Sequence, residues 1–240
     1  MTIQLFITCL VDSFFPKTGL AMVDVLNRLG VDVTFPTEQT CCGQPAFNAG
    51  LREDARQMAK HTIRVFEASS DAIVAPSGSC VGMIRHGYPE LFSDDPDWLP
   101  RAEAIAARTY EFTEYLVDIL GVTDVGAHWD GVLTYHPSCH LLRDLGIDRQ
   151  PRELLAHVHG ATIVELPHAE ECCGFGGVFS VAHPEISTEM LNRKIENLEA
   201  SQAPTLVLAD TGCRMHIAGG LSKRKKTQKV VHIAEILAKR

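Results

Sequence analysis

The stretch VDVTFPTEQTCCG, residues 31–43, is answered later in the chain by ATIVELPHAEECCG, residues 161–174. Each is a short apolar and β-branched run, then a proline, then four residues and Cys-Cys-Gly. A run of this kind closed by proline reads as a strand that stops there. The tandem thiols therefore fall in a loop just beyond a strand end, twice in 240 residues. Working outward, the flanking cysteines repeat as well. Cys9, Cys41, Cys42 and Cys80 form C-x31-C-C-G-x36-C, and Cys139, Cys172, Cys173 and Cys213 form C-x32-C-C-G-x38-C. Corresponding cysteines are displaced by 130, 131, 131 and 133 positions, and none of the eight is left over.

The rest of the chain follows the same duplication. In the first half the pattern predicts a strand from Ile3 to Cys9, a helix from Lys17 to Leu29, a strand from Val31 to Phe35, a helix from Leu51 to Ala68 and a strand from Ala72 to Ala75. A closing helix follows from Tyr110 to Leu120, beyond an exposed loop at Ser93 to Pro100. The second half predicts strands at Gly131–Tyr135, Ala161–Leu166 and Thr205–Ala209, with helices at Arg152–Val158, Glu185–Leu198 and Val231–Lys239. Strands alternating with helices define an α/β fold of two pseudo-symmetric modules, each a mainly parallel sheet flanked by helices. The expected modules are residues 1–125 and 126–240, with the boundary inside Gly121–Gly131. Ligands in such sheets gather beyond the carboxyl ends of strands. In each module the cysteines follow the first, second and third strands, so four thiols are expected to converge.

Thiolates are soft donors suited to iron–sulfur clusters, zinc and cuprous ions. Adjacent side chains on a strand point to opposite faces, so Cys41 and Cys42 reach one site only if the backbone bends, which Gly43 permits. A cluster offers positions on neighbouring iron atoms, which suits adjacent thiolates. Zinc also takes four thiolates, but its usual C-x2-C knuckles are absent. Histidines surround the second set: His136 and His140 flank Cys139, His168 precedes Cys172 and His216 follows Cys213. None has a first-module counterpart, and hydrogen-bonded or outer-shell roles are expected for them. Gly174, Gly176 and Gly177 lack the spacing of a phosphate or dinucleotide loop, and no flavin or nicotinamide motif is visible. These extra glycines predict the more open site in the second module.

Composition narrows the class. With 45% hydrophobic and 22% charged residues the chain reads as globular. The net charge of −8 argues against nucleic acid as a partner. The basic run Lys223, Arg224, Lys225 and Lys226 reads as a solvated loop. No stretch approaches the roughly 20 apolar residues of a membrane span, so no direct membrane insertion is expected. MTIQLFITCL lacks the marks of an export signal, which makes a cytoplasmic location the expectation and structural disulfides poor candidates.

These motifs resemble the cysteine-rich, Cys-Cys-Gly domain family, which includes the cysteine-rich subunit of heterodisulfide reductase and the iron–sulfur subunit of glycolate oxidase. The likeness runs from Cys9 to the closing helix. Its short length, with SGSC at 77–80 and DTGC at 210–213, places the chain nearest the lactate-oxidising branch. The resemblance implies two iron–sulfur clusters, one per module and of the 4Fe-4S type, on the eight cysteines. It further implies an oxidoreductase subunit of a cytoplasmic complex oxidising L-lactate to pyruvate, with a second iron–sulfur protein and a third subunit as partners. Heterodisulfide reductase subunits carry a fifth thiol, C-x2-C, where this chain has Ser77 and Asp210. That departure leaves an ordinary four-thiol cluster, or a modified one completed by Asp210 or Ser77. A thiol or disulfide reductase subunit and a zinc-stabilised interaction module are the alternative readings.

Overall fold

Two four-stranded sheets, each wholly parallel, carry the same strand order in the computed structural model, which describes residues 1–240. In the first sheet, β1 (Thr2–Leu5) lies between β2 (Asp32–Thr34) and β3 (Ala72–Ala75), and β4 (Thr109–Glu111) pairs with β3. In the second, β5 (His128–His136) lies between β6 (His159–Val164) and β7 (Thr205–Leu208), with β8 (Lys229–His232) on the outside of β7. The crossovers are helical, as parallel strands require. They comprise α1 (Cys9–Phe14), α2 (Pro16–Arg28), α3 (Gln44–Asn48), α4 (Arg52–Phe66), α5 (Gly78–Gly82), α6 (Tyr88–Leu91) and α7 (Leu99–Ala106) in the first half. After α8 (Phe112–Glu114), the second half supplies α9 (Arg149–Ala156), α10 (Val178–Ala182), α11 (Pro184–Ala200), α12 (Thr211–Lys223) and α13 (Ile233–Leu237).

The α/β class and the doubled parallel sheet match the sequence reading, and three elements differ from it. The expected closing helices at Tyr110–Leu120 and Val231–Lys239 each begin as a strand, β4 and β8, and turn helical only afterward. Strands this short show too few alternations to be told from the apolar face of the helix they lead into. Cys9 likewise opens α1 and does not end β1.

Each of these fourth strands ends on a buried polar residue that caps the next helix. The Glu111 carboxylate accepts from the backbone N–H of Thr113 and Glu114, and the His232 ring accepts from the N–H of Ala234 while its other nitrogen meets the Pro76 carbonyl at 2.9 Å. Such caps satisfy donors that a helix start otherwise leaves unpaired. Burial pushes the Glu111 carboxyl up to about 7 from its ordinary 4.5, and burial pushes His232 down to about 4 from 6.5. Folded Glu111 keeps a proton that the unfolded chain releases, so its contribution to stability falls as pH rises from 4.5 to about 7. Folded His232 refuses a proton that the unfolded chain accepts, so its contribution falls as pH drops from 6.5 to about 4. The two slopes oppose each other where they overlap. Glu111→Gln is expected to gain about 2 kcal/mol relative to the parent between pH 5 and pH 7, by urea denaturation at both values. An equal difference at the two pH values would contradict this assignment.

The largest buried cluster runs through both halves, from Ile3, Met22 and Leu26 to Leu133, Leu154, Ile233 and Leu237. Arg28 ties α2 to the later chain by donating to the carbonyls of Val125, Leu237 and Ala238. Nearer the cysteines the halves meet closely at Gly78, where an added Cβ would stand 2.0 Å from a Leu141 methyl. Only glycine lets α5 approach the second half at that point. Two smaller cores lie under the sheets' outer faces. One includes Cys42 and Cys80, the other Cys173 and Cys213.

Candidate metal centre

The carboxyl ends of β1, β3, β5 and β7 bring the cysteines together. Cys9 is the first residue of α1, Cys80 the third of α5 and Cys213 the third of α12, so three thiols sit in first helical turns. The tandem pairs lie in the loops after β2 and β6. Their glycines, Gly43 with φ 88° and Gly174 with φ 87°, take the left-handed conformation. A side chain at Gly174 would meet the Ser187 carbonyl at 2.6 Å, and one at Gly43 would stand 3.2 Å from the Met58 Cβ. Glycine is thus needed twice over, for backbone shape and for the close approach of the helix behind the loop.

Within each module the thiols form a continuous chain. Cys9 Sγ lies 3.6 Å from Cys41 Sγ, Cys41 neighbours Cys42, and Cys42 neighbours Cys80. In the second half Cys139 Sγ lies 3.4 Å from Cys172 Sγ, and Cys173 Sγ lies 3.2 Å from Cys213 Sγ, with Cys172 and Cys173 linking the pairs. All eight sulfurs border one cavity of about 170 Å³ between the halves, walled also by Thr8, Gln44, His140, Phe175 and Asp210. The sequence predicted four thiols converging in each module. That the two sets share a cavity was not readable from spacing, because it depends on how the sheets face each other.

The thiols hold their protons unevenly. Hydrogen bonds from Cys42 and then Cys9 hold Cys41 down to about 3, and those from Cys139 and then Cys173 hold Cys172 down to about 2. Cys9 and Cys139 are pushed up by the same bonds, seen from the donor's side. Cys213 falls to about 6, with the bond from Cys173 the largest cause, opposed by burial and aided by His136. A soft cation that replaces these shared protons meets thiolates already gathered around it.

Of the histidines, His136 is the one that joins this set. It is fully buried, neither ring nitrogen has a hydrogen-bond partner, and its ligand atom lies within 4.8 Å of those of Cys173 and Cys213. His140 meets Gln44 across the halves at 3.2 Å, and His216 meets Ser187 at 3.3 Å. His168 contributes its carbonyl to Lys194. The expected difference in openness is reversed at one position: Cys9, in the first module, is the exposed cysteine, whereas Cys139 and Cys172 are half-buried. Gly176 and Gly177 line the cavity beside Phe175, whose ring packs against Gly212.

Ser77 and Asp210, the candidates for a further ligand, bond to each other across the halves. Asp210 Oδ2 accepts from Ser77 Oγ and Ser79 N, both at 3.0 Å, and Oδ1 accepts from Gly212 N at 3.0 Å and Cys213 N at 3.3 Å. Four donors occupy the carboxylate's accepting positions. Asp210 therefore caps the turn bearing Cys80 and the turn bearing Cys213 together, which argues against either residue serving as a fifth ligand.

The donor set fits a soft metal or cluster: eight sulfurs and one imidazole nitrogen, with the one carboxylate at the cavity wall engaged by its donors. A thiol-lined cavity shared by two duplicated α/β modules defines a class. The Cysteine-rich domain model (CCG) matches residues 3–85 and 133–218, and the chain belongs to that family. Its relatives include proteins named Lactate utilization protein A from an Exiguobacterium species, 52% identical over 98% of this chain and 96% of theirs, and from Oceanobacillus iheyensis, 48% identical over 99% and 96%. Lactate utilization protein A 2 of Bacillus cereus is 47% identical over 100% of this chain and 98% of its own. Among solved structures, a hypothetical protein from Helicobacter pylori shares the fold, with a TM-score of 0.69 and 11% identity over 98% of this chain and 48% of the other. No helix is long and apolar enough to cross a membrane.

Proposed function

We propose that the chain is an iron–sulfur electron-transfer subunit of a complex that oxidises L-lactate to pyruvate. One cluster sits on Cys9, Cys41, Cys42 and Cys80, the other on Cys139, Cys172, Cys173 and Cys213. The observation that carries this reading is the pair of four-thiol chains opening on one cavity. The name borne by the relatives supports the substrate, and its letter supports a part in a system of several proteins. A second iron–sulfur protein and a further subunit are the expected partners, in the cytoplasm.

Lactate releases two electrons and two protons in becoming pyruvate. Two bound clusters would accept those electrons one at a time. The chain's own residues hold and shield the site. Cys42, Cys80, Cys173 and Cys213 are buried, Tyr88 O–H donates to the Cys42 carbonyl at 2.9 Å, and Ser187 O–H donates to the Gly174 carbonyl at 2.8 Å, fixing both tandem turns. Zinc is the second reading, favoured by the convergence of His136 with Cys173 and Cys213. A strain lacking this chain should fail to grow on L-lactate while growing normally on pyruvate, and the wild-type chain should restore growth where Cys173→Ser does not. Normal growth of the deletion strain on L-lactate would count against the lactate assignment.

A further inference from the structure

Lys194, on α11, is the lysine whose side chain is fully buried. Its Nζ donates to the carbonyls of His168 and Ala169, both at 3.1 Å, in the loop that runs into Cys172. No carboxylate lies within 4.0 Å of it. The nearby Glu171 is engaged by Arg193 at 2.7 Å and by Asn197 at 3.1 Å. A buried ammonium without a close ion pair costs several kcal/mol, so its retention calls for an anion elsewhere. Burial lowers its pKa, while Glu171, Cys173 and Cys213 act in the opposite direction as neighbouring negative charges.

The first module has no such charge. Ala55 and Met58 face Gly43 as Ser187 and Met190 face Gly174, and the same displacement along the helix matches Lys194 with Thr62, which is buried and neutral. Of the other cations near the second thiol set, Arg214 is paired with Glu235, and Arg143 and Arg193 border an open groove together with Glu171. Solvent and salt screen them.

Resting on the iron–sulfur reading above, we infer that Lys194 is the internal counter-charge of the second site, holding a cluster on Cys139, Cys172, Cys173 and Cys213 at a higher reduction potential than those four thiolates alone would set. One-electron reduction adds one negative charge to that cluster, the electron coming from lactate-derived reducing equivalents. The ammonium keeps its proton and forms no covalent bond. Lys194 thereby adds to what separates the two sites as electron acceptors, beside His136, which also joins only the second thiol set.

The test is a redox titration followed by electron paramagnetic resonance on the full chain loaded anaerobically with iron and sulfide. Wild type, Lys194→Met, Lys194→Gln and Lys194→Arg are compared, with the first-module cluster as internal reference and His136 unchanged throughout. Met and Gln variants are expected to make the second cluster about tenfold harder to reduce, a shift of about −59 mV for one electron, with the Arg variant near wild type. Retention of the second cluster in the Arg variant but its loss in Met and Gln would show the same requirement for charge. An unchanged gap between the two potentials in Met and Gln, or loss of the second cluster in all three variants, would overturn the inference. A wild-type chain that takes up no iron removes the iron–sulfur reading itself, a separate outcome.

Discussion

Cys173→Ser is expected to reduce iron and acid-labile sulfide to about half, with the remaining cluster on the first module. Cys173 is buried and lies 3.2 Å from Cys213, so a serine there removes a soft ligand and leaves a hydroxyl that iron accepts poorly. The first four thiols keep their own chain of contacts from Cys9 to Cys80. Cys42→Ser should give the mirror result. Both variants can be read by iron and sulfide content together with the spectrum of the surviving cluster. Equal loss from both modules after either substitution would mean that the shared cavity holds one assembly and not two independent sites.

Asp210→Ala should act on both modules at once. Its carboxylate accepts from Ser77, Ser79, Gly212 and Cys213, and removing it leaves the buried N–H groups of Gly212 and Cys213 and the half-buried N–H of Ser79 without that acceptor. The expected loss is on the order of 4 kcal/mol, from the caps and the unpaired donors together. Because those donors hold the turns of Cys80 and Cys213, iron should fall in both modules. Ser77→Ala removes two hydrogen bonds, to Asp210 and to Ser79, with an expected cost of about 2 kcal/mol and full iron content. Chemical denaturation and metal analysis of the two variants check this contrast. Loss of first-module iron in Ser77→Ala would make Ser77 a ligand after all, and wild-type stability in Asp210→Ala would remove the double cap.

Much of this arrangement was legible because it is periodic. Each Cys-Cys-Gly follows a strand that stops shortly before a proline, Gly43 and Gly174 mark the bend, and the nearly equal displacement of four cysteines exposes the duplication. What stayed hidden depends on contacts between distant segments. β4 and β8 are too short to separate from the helices that follow them. The bond between Ser77 and Asp210 joins residues far apart in sequence, and so does the passage of Leu141 over Gly78. His136 was visible as a histidine near Cys139, but its approach to Cys173 and Cys213 comes from the pairing of β5 with β7. Lys194 carried no signal at all, since a lysine within an amphipathic helix reads as exposed until the helix is seen against the loop it supports.

Metal and sulfide analysis of the chain purified without oxygen decides whether it holds two iron–sulfur clusters. The expected result is a brown protein with about eight iron and eight acid-labile sulfide per chain and a paramagnetic resonance signal on reduction. A colourless protein that holds only zinc, even after anaerobic reconstitution with iron and sulfide, would contradict it.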